Sequence, residues 1–179
     1  MRNSLEVSLF IKEEFMKWIL MVILFAGCLL VGYLYSNKYK KRVDFFNSLI
    51  YFAQKLDVEI NFSRERLKKL VENFDEKAKF NLQGIDISFL KYLNEGGDLT
   101  AESLFRNKGL IKKEEKEVVT MFFKNLGRSD VENQTKEIKN SIERFEKLQN
   151  DALMEYKKFG KLGIKLGIIA GLALVIILI

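Results

Sequence analysis

Residues 122–134 read FFKNLGRSDVENQ and place Arg128, Ser129 and Asp130 in a short break between two helix-forming runs. A guanidinium, a hydroxyl and a carboxylate this close together could form an active-site loop. The same residues could instead form only a corner between two helices. The choice decides whether the chain is interpreted as an enzyme or as a structural component.

Side chains that commonly carry catalysis are scarce in this sequence. The chain has no histidine and one cysteine, Cys28, so it lacks the commonest general base and metal ligand and cannot form an intramolecular disulfide. No Walker loop, nucleophile elbow or metal-ligand pattern is present. The candidate acids lie in charged runs that solvated helix faces explain better than acid–base pairs: Asp75, Glu76, Glu114, Glu115 and Glu117. We therefore expect no enzymatic activity, cofactor, metal or small-molecule substrate.

The composition indicates a helical protein. The chain has 179 residues, of which 48% are hydrophobic and 30% charged, a balance typical of an ordinary globular domain rather than a disordered chain. It has no proline and only 11 glycines, so few residues can terminate a helix or form tight turns. We predict an all-α fold.

The first long apolar run, residues 18–37, contains no charge and is bounded by Lys17 and Lys38. Twenty helical residues span roughly 30 Å, the thickness of the bilayer core. We predict a first transmembrane helix at residues 16–37. The alternative is a lipoprotein cleavage site at Cys28, within FAGC, but the sequence stays apolar after this cysteine where lipoproteins usually become polar.

The C-terminal end is also apolar. Residues 162–179 would span about 27 Å as a helix if Lys165 extends to the interface, which predicts a second transmembrane helix; a core helix of a soluble domain is the alternative. Gly163, Gly167 and Gly171 repeat every four residues, a spacing that lets membrane helices approach closely. We expect them to pack against the first span or a second copy, although glycine is also simply common in membrane helices.

Basic residues flank the region between the two spans. They account for the net charge of +6, and by the positive-inside rule they predict a cytoplasmic domain at residues 38–161 with both chain ends outside. Nucleic-acid binding is a less favoured interpretation of the same residues. The two clusters are Lys38, Lys40, Lys41 and Arg42, and Lys157, Lys158, Lys161 and Lys165.

Residues 1–15 precede a second methionine, Met16, which is followed by Lys17. The residues before Met16 can be encoded by codons that resemble a ribosome-binding site. We therefore expect Met16 to be the native start, with residues 1–15 a mis-called leader. The alternative is a short amphipathic leader.

Hydrophobic periodicity divides the middle region into helices. It predicts one helix over residues 43–62, and a second that Ser63 caps and that ends near Asn73. A third is predicted over 80–93, closed by Gly96 and Gly97, and a short fourth over 100–106. A strong helix follows over 112–126, with one apolar face composed of Val119, Phe122, Phe123 and Leu126.

The corner that follows has an explanation without a substrate. Gly127 stands where a left-handed residue can end a helix, and Ser129 with Glu132 forms a capping box that begins the next one. Asp130 adds negative charge at that helix's N-terminus. Val131, Ile138, Phe145, Ala152 and Phe159 then repeat every seven residues, which predicts a long packing helix without a breaker before Gly160.

The sequence resembles the stage III sporulation protein AB family of endospore-forming bacteria over residues 16–179. Three segments carry the resemblance in order and spacing. LDVEINFSRERL (56–67) matches a Glu-Ile pair at Glu59 and Ile60, and NLGRSDVENQ (125–134) matches at Gly127, Asp130 and Gln134. The apolar C-terminal end is similar at Lys161, Gly167 and Gly171.

The resemblance implies a helical cytoplasmic bundle related to the F proteins of type II secretion and type IV pilus systems. It implies a platform in a channel-like complex between mother cell and forespore, in the mother-cell membrane around the forespore. The partners so implied are the membrane, the complex's ATPase and its other membrane subunits, and exposed Asp130 and Gln134 would shape a partner surface. Two alternatives remain: a self-associating membrane-tethered scaffold that uses the Phe145 stripe, and an envelope enzyme.

Overall fold

The computed structural model describes residues 2–58, 64–82, 84–105, 111–127 and 131–178. All regular elements within these ranges are helical, which confirms the all-α prediction. A π-helical turn, Tyr156–Gly160, lies between the last two helices. The helices are α1 Arg2–Val58, α2 Arg64–Glu72, α3 Glu76–Leu82, α4 Ile85–Glu95, α5 Ala101–Leu104, α6 Lys113–Asn125, α7 Val131–Glu155 and α8 Lys161–Leu178.

The chain forms two compact units. Residues 1–38 and 156–179 form one, here called the apolar unit, and residues 39–155 form the other, the helical unit. The apolar run and the predicted 43–62 helix belong to one helix, α1, rather than to two. Since neither proline nor a helix-ending glycine lies between them, nothing in the sequence interrupts the backbone hydrogen bonds.

The helices of the middle region differ from the prediction at one break. A single helix over 80–93 is wrong, because α3 ends at Leu82 and α4 begins at Ile85. Gly84 lies between them with φ +88°, a left-handed conformation that glycine adopts at little cost. Asp75 caps α3, its Oδ1 accepting a hydrogen bond of 2.9 Å from the Ala78 amide.

The other predicted ends are close to the observed ones. α2 ends at Glu72, one residue before Asn73, and Gly96 follows α4 as expected. α5 is capped by Thr100 but ends at Leu104, so its predicted extension toward residue 106 is wrong where the structure describes it. The predicted cap at Ser63 lies outside the described residues.

The corner after α6 has the predicted glycine geometry. α6 ends at Asn125, and Gly127 has φ +78°, where a larger residue would be strained. Residues 128–130 lie outside the described part of the chain, so the capping box at Ser129 is among the expectations the structure does not describe. α7 begins at Val131, as the corner interpretation requires.

Aromatic rings fill the core of the helical unit. Phe123 lies 4.8 Å from Phe89 and 5.6 Å from Phe52, measured between ring centroids. Phe145 meets Phe122 edge to face at 5.1 Å, a favourable aromatic geometry. Each ring thereby joins two helices, so the aromatic side chains fix the packing of α1, α4, α6 and α7.

The repeating stripe of α7 is buried in that core. Ile138, Phe145 and Ala152 are each at most 1% exposed, as a packing stripe requires. Phe159 is 37% exposed and lies in the π-helical turn of the apolar unit. Its predicted place in the stripe is wrong, since a π-helical turn does not keep the α-helical repeat.

Among the residues that the structure describes, two helices are long and apolar enough to cross a membrane, which is consistent with a two-span membrane protein. They fall within helical residues 15–58 and 132–178. Only 17% of each apolar window is buried, whereas the core helix of a soluble protein would be mostly buried. The exposed apolar surface therefore favours a lipid environment for both segments.

Candidate interaction sites

Arg42 is the centre of a partly buried group of charges in the helical unit, here called the ion-pair cluster. Its two terminal nitrogens donate hydrogen bonds to the carboxylates of Glu115 and Glu155. Lys112 Nζ lies 2.6 Å from the second oxygen of Glu155. Arg42 and Glu115 are 5% and 4% exposed, so the cluster connects the interior faces of α1 and α6 with the end of α7.

Local structure explains why these two charges are buried. Arg42 precedes Phe46 by four positions and Leu49 by seven, and both residues are fully buried; residues at that spacing share a helix face. Glu115 also accepts a hydrogen bond of 2.8 Å from the backbone amide of Lys112. One carboxylate thus caps the N-terminus of α6 and pairs with Arg42.

The cluster corrects two expectations. Glu115 does not lie on a solvated face, and Arg42 is not a solvated membrane flank, because the two form an ion pair in the interior. Lys38, Lys40 and Lys41 are exposed, as flanking residues should be. The remaining candidate acids are also exposed: Asp75, Glu76, Glu114 and Glu117.

The ion-pair partners change the pKa values of two members of the cluster, Arg42 and Glu155. Burial opposes the charge on Arg42, but hydrogen bonds and Coulombic attraction from Glu115 and Glu155 outweigh it and raise the pKa of the guanidinium. The hydrogen bond from Lys112 is the largest influence on Glu155, and with Arg42 it lowers the pKa of that carboxyl against the opposing effect of burial. Arg42 and Glu155 therefore both stay ionised at neutral pH.

A pocket of about 300 Å³ adjoins the cluster, and we call it the acidic pocket. The cluster residues line one part of it, while Glu114 and Asp151 lie toward solvent. Its apolar lining consists of Val118, Leu148 and Met154. Mixed apolar and charged lining of this kind suits recognition of a polar group carried on an aliphatic stem.

A second cavity, of about 160 Å³, lies between α6 and α7 and is here called the α6–α7 groove. Met121, Phe122, Leu126 and Ile138 contribute apolar lining. Gln134 also lines it and is only 3% exposed. The expectation that Gln134 is exposed is therefore wrong: it occupies the buried face of α7, four positions before Ile138.

The amide of Gln134 has an unusual environment. Within the described part of the chain, its buried Nε2 has no hydrogen-bond partner. A buried donor left unpaired costs free energy because it loses its bonds to water. The buried amide of Gln134 therefore reduces stability, and its side chain is not part of the exposed surface.

The glycines of α8 meet the first apolar segment of the same chain. A Cβ added at Gly167 would lie 2.8 Å from the carbonyl oxygen of Cys28. One added at Gly163 would lie 2.5 Å from the Tyr35 ring, and one at Gly171 would lie 2.6 Å from the Phe25 ring. The four-residue spacing thus coincides with close helix packing inside the apolar unit.

The other predicted site residues divide into two groups. Gly127 forms the corner and Phe145 is fully buried, so both are placed in structural positions. Glu59 and Asp130 lie outside the described residues. Sequence reasoning missed the pairing of Arg42 with Glu115 and Glu155, although the apolar spacing around Arg42 could have indicated that its side chain points into the core.

Across the described ranges, no group of three or more histidine, cysteine or acidic side chains is arranged to hold a metal ion. The charged residues of the cluster are engaged with one another, and the two cavities offer surfaces for contact.

Comparison with known protein families gives a match over nearly the whole chain. The family described as stage III sporulation protein AB matches residues 17–179. Neither the curated proteins nor the solved structures yield a match to this chain.

Proposed function

The chain belongs to the stage III sporulation protein AB family, and we propose that it is a non-enzymatic platform component of a channel complex between mother cell and forespore. Family membership supports a role in sporulation. The platform role is our inference from that membership and from the arrangement of the chain.

One observation carries the proposal. The family match extends over both apolar helices and the whole helical unit between them. A platform needs segments that hold it in a bilayer and a folded part that contacts other subunits, and the two units supply these properties separately. A resemblance to the F proteins of type II secretion systems motivates this view by analogy only.

The proposed partners follow from the same arrangement. The helical unit would contact the ATPase of the complex, and the apolar helices would contact neighbouring membrane subunits. The proposed location is the mother-cell membrane around the forespore, with the helical unit in the cytoplasm. Exposed lysines beside both apolar segments support that orientation.

A self-associating scaffold is the alternative function, and the structure of α7 weighs against it. The scaffold would use the stripe of Ile138, Phe145 and Ala152, but these side chains already pack inside the helical unit. A second copy could reach them only after that unit opened. The exposed surface is therefore the better candidate for contacts between subunits.

A deletion strain complemented with a tagged chain tests the proposal. We expect the deletion to arrest forespore maturation and the wild-type gene to restore it. Purification from sporulating cells should then recover the ATPase and other membrane subunits of the same complex. Normal maturation in the deletion strain, or recovery of self-copies alone, would contradict the platform role.

A further inference from the structure

We propose that the acidic pocket is a docking site for a lysine or arginine side chain of another protein. Recognition of a basic side chain is a property of one surface of the helical unit and is distinct from membership of a channel complex. It can be measured without sporulation as a readout.

The charges around the pocket are unequal. Among the described residues, four carboxylates line it, from Glu114, Glu115, Asp151 and Glu155, against two cations, Arg42 and Lys112. Both cations are already engaged by Glu115 and Glu155. Glu114 and Asp151 form no ion pair with any residue that the structure describes. Two exposed negative charges thus remain uncompensated at the mouth of the pocket.

The pocket also contains a buried group without a partner. The Arg42 side chain, which is 94% buried, lines the pocket, and within the described ranges its Nε has no hydrogen-bond acceptor. A buried N–H without an acceptor is costly. The pocket therefore presents carboxylates to a cationic side chain, above a buried donor that remains unsatisfied within the described ranges.

Size and apolar lining fit a long basic side chain. A volume of about 300 Å³ is sufficient for such a side chain and part of its backbone. Val118, Leu148 and Met154 provide apolar contacts for a methylene stem, and Met154 is 62% exposed before any partner binds. Lysine and arginine combine an aliphatic stem with a charged head, which matches this division.

Electrostatics favour a different protein over a second copy. The chain carries a net charge of +6, so two copies repel one another at long range. A basic patch on another subunit meets a local excess of negative charge at the pocket, and complementary charge guides association. We therefore assign the occupant to a basic segment of a different protein.

The test uses the full chain in detergent micelles, labelled with ¹³C at the methionine methyl groups. Met154 reports on the acidic pocket, and Met121 in the α6–α7 groove is an internal control. The probe is the peptide acetyl-Gly-Arg-Gly-amide, compared with its lysine analogue and with its uncharged citrulline analogue. We expect both basic peptides to shift the Met154 resonance, and added salt to weaken the effect.

A charge-neutralised variant tests the assignment. Glu114→Gln with Asp151→Asn should weaken peptide binding about tenfold, because two surface charge pairs are lost. Both side chains are exposed, so helicity and melting should remain unchanged. The matched control is Glu117→Gln with Glu143→Gln, which removes two exposed acids from the same helices outside the pocket and should leave binding intact.

Three outcomes would overturn the proposal. The citrulline peptide could shift the Met154 resonance as strongly as the arginine peptide does. The neutralised variant could also bind the basic peptides as well as the wild type does. Analytical ultracentrifugation could also show a wild-type dimer that the neutralised variant dissociates. That result would make a second copy the occupant and contradict the assignment to a different protein.

Discussion

The guanidinium of Arg42 on α1 is hydrogen bonded to the carboxylate of Glu115 on α6, 73 positions later in the sequence. We predict that Arg42→Met lowers the free energy of unfolding by about 3–5 kcal/mol, because it leaves the buried carboxylate of Glu115 without a counter-charge. Denaturant titration of the full chain, followed by circular dichroism, measures this loss. Lys41→Met is the control, since Lys41 is exposed.

Replacing both Arg42 and Glu115 should lower the free energy of unfolding by less than the sum of the two single replacements. Glu115→Leu alone removes the cap of α6 as well as the ion pair, whereas Arg42→Met/Glu115→Leu leaves neither charge unpaired at that contact. A double-mutant cycle measures the coupling between them. Additive single effects would show that the contact contributes nothing beyond the burial of each residue.

Glu155 should make stability sensitive to acid. Its pKa is lowered in the folded chain from an ordinary value of 4.5, so its contribution is fully present above that value. Protonation removes the contribution as the pH falls through the lower folded-state pKa. We predict a melting temperature that declines below about pH 4.5 and declines less steeply in Glu155→Gln. Glu146→Gln, an exposed change on the same helix, should retain the wild-type slope.

Phe145 should be indispensable to the helical unit. Phe145→Asp places a carboxylate at a fully buried position against the Phe122 ring, so we expect lost helicity and no cooperative melting. Phe80→Asp makes the same change at a side chain that is 78% exposed and should melt as the wild type does. If the two variants behave alike, Phe145 is not a packing residue.

A substitution at Gln134 should preserve or raise stability, whereas the substitutions above lower it. Gln134→Met keeps the length of the side chain and removes a buried donor that lacks a partner in the described chain, so stability should stay equal or rise by about 1 kcal/mol. The same change at Gln149 should reduce stability, because Gln149 Nε2 donates to Asn47 Oδ1 at 2.7 Å. Chemical denaturation of both variants gives the comparison; a clear loss for Gln134→Met would disprove the prediction.

The helix contact in the apolar unit can be captured by a disulfide. A Cβ at Gly171 would lie 3.5 Å from the Cβ of Cys28, close to disulfide geometry. Because the Phe25 ring occupies part of that space, the test variant is Phe25→Ala/Gly171→Cys. Under mild oxidation we expect an intramolecular cross-link, detected by mobility on non-reducing gels. Ala170→Cys, one position away on an exposed part of α8, should not form it.

Local chemistry made part of the fold predictable. Gly127 was predictable because few other residues can end a helix in a left-handed conformation, and the spacing of Ile138, Phe145 and Ala152 defined one helix face. The break at Gly84 was not, since a single glycine within an apolar pattern is compatible with a continuous helix. The break depends on the left-handed backbone conformation of Gly84, which cannot be read from the residue type alone.

The candidate sites were less predictable because they depend on distant parts of the chain. Glu115 lies in a run of charges that resembles any solvated helix start, and its burial depends on Arg42 from α1. The burial of Gln134 likewise depends on how α6 packs against α7. Periodicity identifies the face on which a residue lies, but it does not identify the charge that will meet it there.

The glycine face of α8 limits how many helices can pack closely against it. Gly163, Gly167 and Gly171 each approach the first apolar segment too closely to admit even a Cβ. This close-approach surface therefore accepts one partner helix, and the first apolar segment of the same chain already occupies it. Any neighbouring membrane helix must instead meet the larger exposed side chains of α8, such as Ile169 and Leu172. A subunit bound there would be exchangeable without separating the chain's own pair of apolar helices.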